Sequence, residues 1–156
     1  HRTTNPISSE ISDSKALSQQ LGAFVTLKQN NQLRGCIGCI QSTDLLYNTI
    51  SNYAIQSAIN DHRFSAVTLD ELESLSFECS VLSAPSLVSS YNDIEIGRHG
   101  IILEKNNRSA LFLPKVATEQ QWDLALTLSQ LCLKAGLNAD SWKQDCKFQV
   151  FTAQEF

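Results

Sequence analysis

No stretch of this chain approaches the roughly 18 consecutive apolar residues of a membrane span, and no charged-then-apolar leader opens it. Positive charge is also short. With 12 Lys+Arg against 16 Asp+Glu the formal net charge is −4, which argues against wholesale binding along a nucleic-acid backbone, since that needs a basic face. Only three prolines and six glycines are present, with no internal repeat and no low-complexity tract, so nothing reads as an interdomain linker. What is there is ordinary for a globular protein: 42% hydrophobic and 18% charged residues, a balance that argues against disorder. A length of 156 residues fits one domain that buries roughly two-thirds of its unfolded surface. The chain begins with His1 rather than Met, which we read as a trimmed N-terminus.

The five cysteines, Cys36, Cys39, Cys79, Cys132 and Cys146, are odd in number and dispersed. A chain with this much apolar core needs no staples, so they read as reduced thiols of a cytoplasmic protein, without disulfide, structural zinc or cofactor. Cys79, Cys132 and Cys146 read as small buried hydrophobes.

The pattern predicts an α+β domain with a largely antiparallel, or mixed, sheet flanked by helices. Residues 1–21 form an extended N-terminal segment, polar at 3–14, with a short helix over Lys15–Leu21 ended by Gly22. Residues 22–156 form a single domain. AFVTLK (23–28) and Leu33–Ile40 flank an Asn30-Asn31 turn and predict a hairpin. Thr43 offers an N-cap to a helix running to about Asn60, with Leu46, Ile50, Tyr53 and Ser57 on one face. An irregular Asp61-His62-Arg63-Phe64 corner follows, then a short helix over Leu69–Leu75 and a strand around Phe77–Leu82. Gly100–Glu104 and Ala110–Leu113 predict a second hairpin, closed by Pro114. Thr118 and Gln121 predict a capping box opening a helix that carries Trp122, Ala125, Leu126, Cys132 and Leu133 and stops at Gly136. A last strand spans Lys147–Thr152.

The most unusual string is Leu33-Arg34-Gly35-Cys36-Ile37-Gly38-Cys39. Two glycines in one strand predict a bulge or a close backbone approach. Arg34 shares a strand face with Cys36, where a guanidinium favours the thiolate and so a nucleophile; the same Arg34 suits a carboxylate or phosphate ligand. The bland alternative is a kinked hairpin with a buried thiol. Cys36-x-x-Cys39 lacks the helix N-terminus of a dithiol motif and a second pair for zinc. Asp61 and Arg63 present charge at the corner, or form a surface pair of little energetic weight. Glu78, on an apolar strand, needs a partner such as Arg34 or Arg63 if it faces inward. His99 lies just before a strand, as a base, a ligand or a turn residue. Arg34, Asp61, Arg63 and Glu78 are expected to converge.

Taken in order, GAFVTL, LRGCIG, AINDHRF, TLDEL, FECSVLS, IGRHGIIL, ALFLPKVATEQQWD and LCLKAGL resemble the AMMECR family, known in prokaryotes as AmmeMemoRadiSam system protein A. The resemblance spans Gly22–Phe156. It implies two unequal subdomains with the LRGCIG segment lining a cleft between them, and a pathway shared with a Memo-type protein and a radical SAM enzyme. It implies no established reaction. Arg34, Gly35, Cys36, Gly38, Asp61, Arg63, Phe64, Glu78, Ser80, His99 and Gly100 fall on family motif positions. His62 replaces the family's usual proline, Cys39 lies outside the signature, and family members commonly begin with a helix ahead of residue 1. The expected site binds a small or flexible anionic ligand through Arg34, Gly35, Gly38, Asp61, Arg63 and Ser80. Catalysis there would use Cys36 as nucleophile with Glu78 or His99 as acid or base. The alternative is a non-catalytic adaptor that docks a protein partner.

Overall fold

The structure is a computed structural model and describes residues 15–156; the polar segment read at 3–14 lies outside the described residues. The chain divides into two compact units, one built from residues up to Ala84 together with Gln154–Phe156, the other from Pro85–Ala153. Each contains one four-stranded sheet. The α+β expectation holds, with the antiparallel strands shared between two sheets.

In the first unit the sheet order is β2-β1-β3-β8, with β1 Ala23–Gln29, β2 Gln32–Cys39, β3 Leu75–Leu82 and β8 Ala153–Glu155. Asn30 and Asn31 both take positive φ, 52° and 62°, the geometry of the two-residue turn that matches strand twist. The alternation Ala23, Val25, Leu27 is buried and carries helix α1, Leu46–Ile59. Helix and sheet meet closely. A Cβ on Gly35 would stand 2.1 Å from the Ser57 carbonyl oxygen, and the Ser57 hydroxyl accepts from the Ile37 N–H and donates to the Val25 carbonyl.

Two local expectations for this unit are corrected. Lys15–Ser18 is a turn rather than a helix, and Gly22 is not a left-handed helix end; a Cβ there would meet the Ile40 carbonyl at 2.0 Å. Thr43 does not cap α1. Its N-cap is Leu45, without a side-chain bond, and the first amides are satisfied by the chain itself: Leu46 N–H donates to the Gln19 carbonyl and Tyr47 N–H to Leu17. A tertiary carbonyl does the work of a cap residue.

In the second unit the order is β4-β7-β5-β6, with β4 Ser86–Leu87, β5 Gly100–Lys105, β6 Arg108–Phe112 and β7 Lys147–Phe151. Asn106 and Asn107 repeat the positive-φ turn, so the hairpin strands extend closer to it than sequence predicted. Pro114 opens a short helix α2, Pro114–Glu119, and helix α3 covers Leu124–Lys134. The Thr118/Gln121 capping box is not formed. Thr118 lies inside α2 and Gln121 has φ 57°; Asp123 caps α3 by accepting from the Leu126 N–H, and Trp122 precedes the helix. The core face of α3 is Leu128, Leu131 and Cys132, while Leu126 and Leu133 are exposed. These core residues pack with Ile101, Leu103, Trp142, Phe148 and Val150. Gly136, at φ 74°, ends the helix as expected.

Candidate functional site

The register between β1 and β2 pairs Leu27 with Gly35 and Lys28 with Leu33. Arg34 is therefore the extra residue of a β-bulge, which turns its side chain away from the ladder. It leaves Cys36 and reaches Glu71 through two bonds, Nε–Oε1 2.7 Å and Nη2–Oε2 3.1 Å, while Nη1 donates to the Ser65 carbonyl. Glu71 also accepts from the Thr68 N–H and hydroxyl. The bonds from Arg34, then those from Thr68, hold the Glu71 carboxyl down to about 2, and the same ion pair raises Arg34. Arg34 thus ties the bulge to the 3₁₀ turn Leu69–Ser74.

The cation beside Cys36 is Arg63. β2 is an edge of its sheet, and Cys36 turns its backbone groups outward. The Asp61 carboxylate accepts the Cys36 N–H at 2.9 Å, and Arg63 Nη2 donates to the Cys36 carbonyl at 3.3 Å. The two side chains are themselves locked, Arg63 Nε to Asp61 Oδ1 at 2.9 Å and Nη2 to Oδ2 at 2.7 Å. Together they occupy the place a neighbouring strand would take. Asp61 is buried while the Arg63 side chain is 49% exposed, with its guanidinium 5.6 Å over the Phe64 ring. The Arg63 bonds and the two backbone N–H donors hold Asp61 far below the usual carboxylate range, against the opposing effect of burial.

On the sheet face opposite α1, Cys36, Thr26 and Glu78 form one row across three strands. The Thr26 hydroxyl donates to the half-buried Cys36 sulfur at 3.2 Å. Glu78, two strands from Cys36 or about 10 Å at ordinary strand spacing, pairs with Lys28, not with either arginine. Ser80 is buried opposite Phe24. Of the four charges expected to converge, Asp61 and Arg63 meet directly; Arg34 and Glu78 each take a different partner. Gly35 accommodates α1, and Gly38 lies under Phe24, where a Cβ would come 2.5 Å from the ring. Cys39 pairs with Ala23 on the opposite face from Cys36, so the two thiols do not form a dithiol. His99 belongs to the second unit, where its Nδ1 accepts from the Glu95 N–H at 3.0 Å. Among the described residues, no group of three His, Cys, Asp or Glu is placed to hold a metal, and no helix is long and apolar enough to cross a membrane.

The AMMECR1 family model matches residues 1–156. The chain belongs to the AMMECR1 family. It is 42% identical over 150 residues to protein MK0488 of Methanopyrus kandleri, covering 90% of this chain and 72% of that one. To protein PYRAB00100 of Pyrococcus abyssi it is 39% identical over 153 residues, with 91% and 75% covered. The crystal structure of the uncharacterized protein PH0010 from Pyrococcus horikoshii superposes with a TM-score of 0.84 at 38% identity, over 91% of this chain and 75% of that chain. Within this AMMECR1 fold, sequence reasoning missed Thr26, Lys28 and Glu71, the partners that settle where Cys36, Glu78 and Arg34 point. Glu71 carried a signal: Thr68-x-x-Glu71 is a capping box, and both its bonds are made.

Proposed function

We propose that this AMMECR1 protein binds a small anionic ligand at Cys36, with Arg63 rather than Arg34 as the group that attracts it. The observation that carries this is the division of labour in the Asp61–Arg63 pair. The carboxylate is buried against the Cys36 amide, whereas the guanidinium stands half in solvent beside the same residue. A fixed cation next to a half-buried thiol suits a ligand with a carboxylate or phosphate and an electrophilic centre. Thr26 orients the sulfur, and Glu78 stands on the same face. Five free thiols support a reducing, cytoplasmic setting. The family likeness supports work alongside a Memo-type protein and a radical SAM enzyme.

The test compares two alkylating probes of nearly equal size, anionic iodoacetate and neutral iodoacetamide, with Cys36 followed by peptide mass spectrometry and Cys39 as internal reference. Free thiols react more slowly with the anion. We expect the iodoacetate-to-iodoacetamide rate ratio to be several-fold higher at Cys36 than at Cys39, to fall with added salt, and to drop on Arg63→Gln but not on Arg34→Gln. Equal ratios at both cysteines, or no effect of Arg63→Gln, overturn the proposal.

A further inference from the structure

The other face of strand β2 borders a groove. Ile37 points towards α1 and forms one wall of a groove of about 480 Å³ between strand and helix, with Ile55 and the Tyr53 ring completing the apolar lining. The polar lining is Ser42, Asp44, Thr49, Asn52 and Gln56. Among the described residues, Asp44 is the one charged residue of this lining, and no lysine, arginine or histidine takes part.

Two neutral acceptors of the groove are already engaged, which leaves the Asp44 carboxylate as acceptor for a cation. The Ser42 hydroxyl oxygen already accepts from the Asp44 N–H at 3.0 Å and from the Thr49 hydroxyl at 2.8 Å, so its lone pairs are engaged. Gln56 accepts from the Asn60 amide through Oε1, so that acceptor is engaged as well. The Tyr53 phenol lies against Cys39; its interaction with the Cys39 side chain, then burial and the nearby Asp44 carboxylate, push its pKa above the ordinary phenol value, so the ring adds no negative charge.

We infer that this groove binds a small arylalkyl- or alkyl-ammonium ligand, with the ammonium on Asp44 and the apolar body between Ile37, Ile55 and the Tyr53 ring. The volume lies in the range of small-ligand sites, and a single carboxylate, with no cation among the described lining residues, selects for positive charge and against anions. The charge preference is opposite to that of the Cys36 site on the other face of the same strand. The two proposals stand or fall separately.

The experiment titrates ¹⁵N-labelled protein with 2-phenylethylamine and, separately, with 3-phenylpropionate, an anion of similar size. The expected result is saturable shifts of the Asn52 and Gln56 side-chain amides with the amine, a response to the carboxylate that is weaker by several-fold or more, and weakening with salt. Asp44→Asn should abolish saturation by the amine while leaving the rest of the spectrum unchanged. Because Asp44 is exposed, this variant is expected to fold; Ile55→Ser, also at an exposed position, provides a second variant that should weaken binding through the apolar wall. Equal shifts with both probes, shifts that do not saturate, or binding unaffected by Asp44→Asn overturn the inference.

Discussion

At the scale of single residues, Asp61 has the most demanding position. One buried carboxylate accepts from the Cys36 amide, from the Arg63 amide, and from the Arg63 guanidinium through both oxygens. All of these favour the charged form, so the folded-state pKa is depressed well below the 3.8 of an ordinary aspartate. The stabilisation is therefore fully present above the unfolded-state value and is lost as pH falls from there towards the folded-state value. Asp61→Asn keeps the shape and replaces one acceptor with an NH₂ donor, which leaves the Cys36 N–H or the guanidinium facing the wrong group. We expect a loss of about 1–3 kcal/mol at pH 7, the cost of an unsatisfied buried donor. The difference from wild type should narrow as pH falls below about 4. Urea denaturation at pH 7 and pH 3 checks both parts, and an unchanged difference at the two pH values contradicts the assignment. Arg63→Gln should cost less, because half of that side chain is already in water.

At the scale of elements, the question is why LRGCIG contains glycine at all. Gly35 and Gly38 look in sequence like openings for a ligand; the structure assigns them to packing. At Gly35 the neighbour is the backbone of α1 at Ser57, which has no flexible end to swing aside. Gly35→Ala should push helix and strand apart and cost about 1–3 kcal/mol, as overpacking does, with little relief from the reduced freedom of the unfolded chain. Thermal or urea unfolding measures it, and a neutral Gly35→Ala would mean that the helix yields freely there. The same distinction explains what could be read in advance. Both hairpins were legible because Asn-Asn turns act locally, through the positive φ that asparagine tolerates. The caps of α1 and α3 were not. Gln19 and Leu17 carbonyls replace a cap residue in one case, and in the other Asp123, only five residues beyond Thr118, wins the role. The two glycines predict a bulge or a close backbone approach, and the strand has both; that the bulge falls at Arg34 and turns it to Glu71 is not local information, since the pull comes from 37 residues away. Arg63, two residues from Asp61 in sequence, met its partner as any short-range pair would; that this pair reaches across to Cys36 is tertiary information.

At the scale of the whole molecule, the order of the chain sets a condition on folding. The chain leaves the first unit at Ala84, builds all of Pro85–Ala153 and only then returns with Gln154–Phe156. Strand β8 takes the sheet edge beside β3, where Cys79 N–H donates to the Phe156 carbonyl at 3.0 Å and Phe156 N–H donates back to Cys79 at 2.9 Å. These are pairings of large sequence separation, which form late because loop-closure entropy precedes their reward. The final residue is exposed, Phe156 at 69%, so removing the tail forfeits little apolar burial and mainly backbone hydrogen bonds, each worth about 1 kcal/mol. Deleting Gln154–Phe156 should therefore lower the stability of the first unit by about 1–3 kcal/mol without preventing its folding. Hydrogen exchange resolves where the loss falls. The Cys79 amide should lose protection most, β3 as a whole should exchange faster, and amides such as Leu103 and Val150 in the second unit should keep their wild-type rates. An equal loss of protection in both units would instead mean that they open as one cooperative body. The retained protection of Leu103 and Val150 is thus the deciding measurement: it separates a second unit that holds its own core from one whose stability depends on the strand that closes the first.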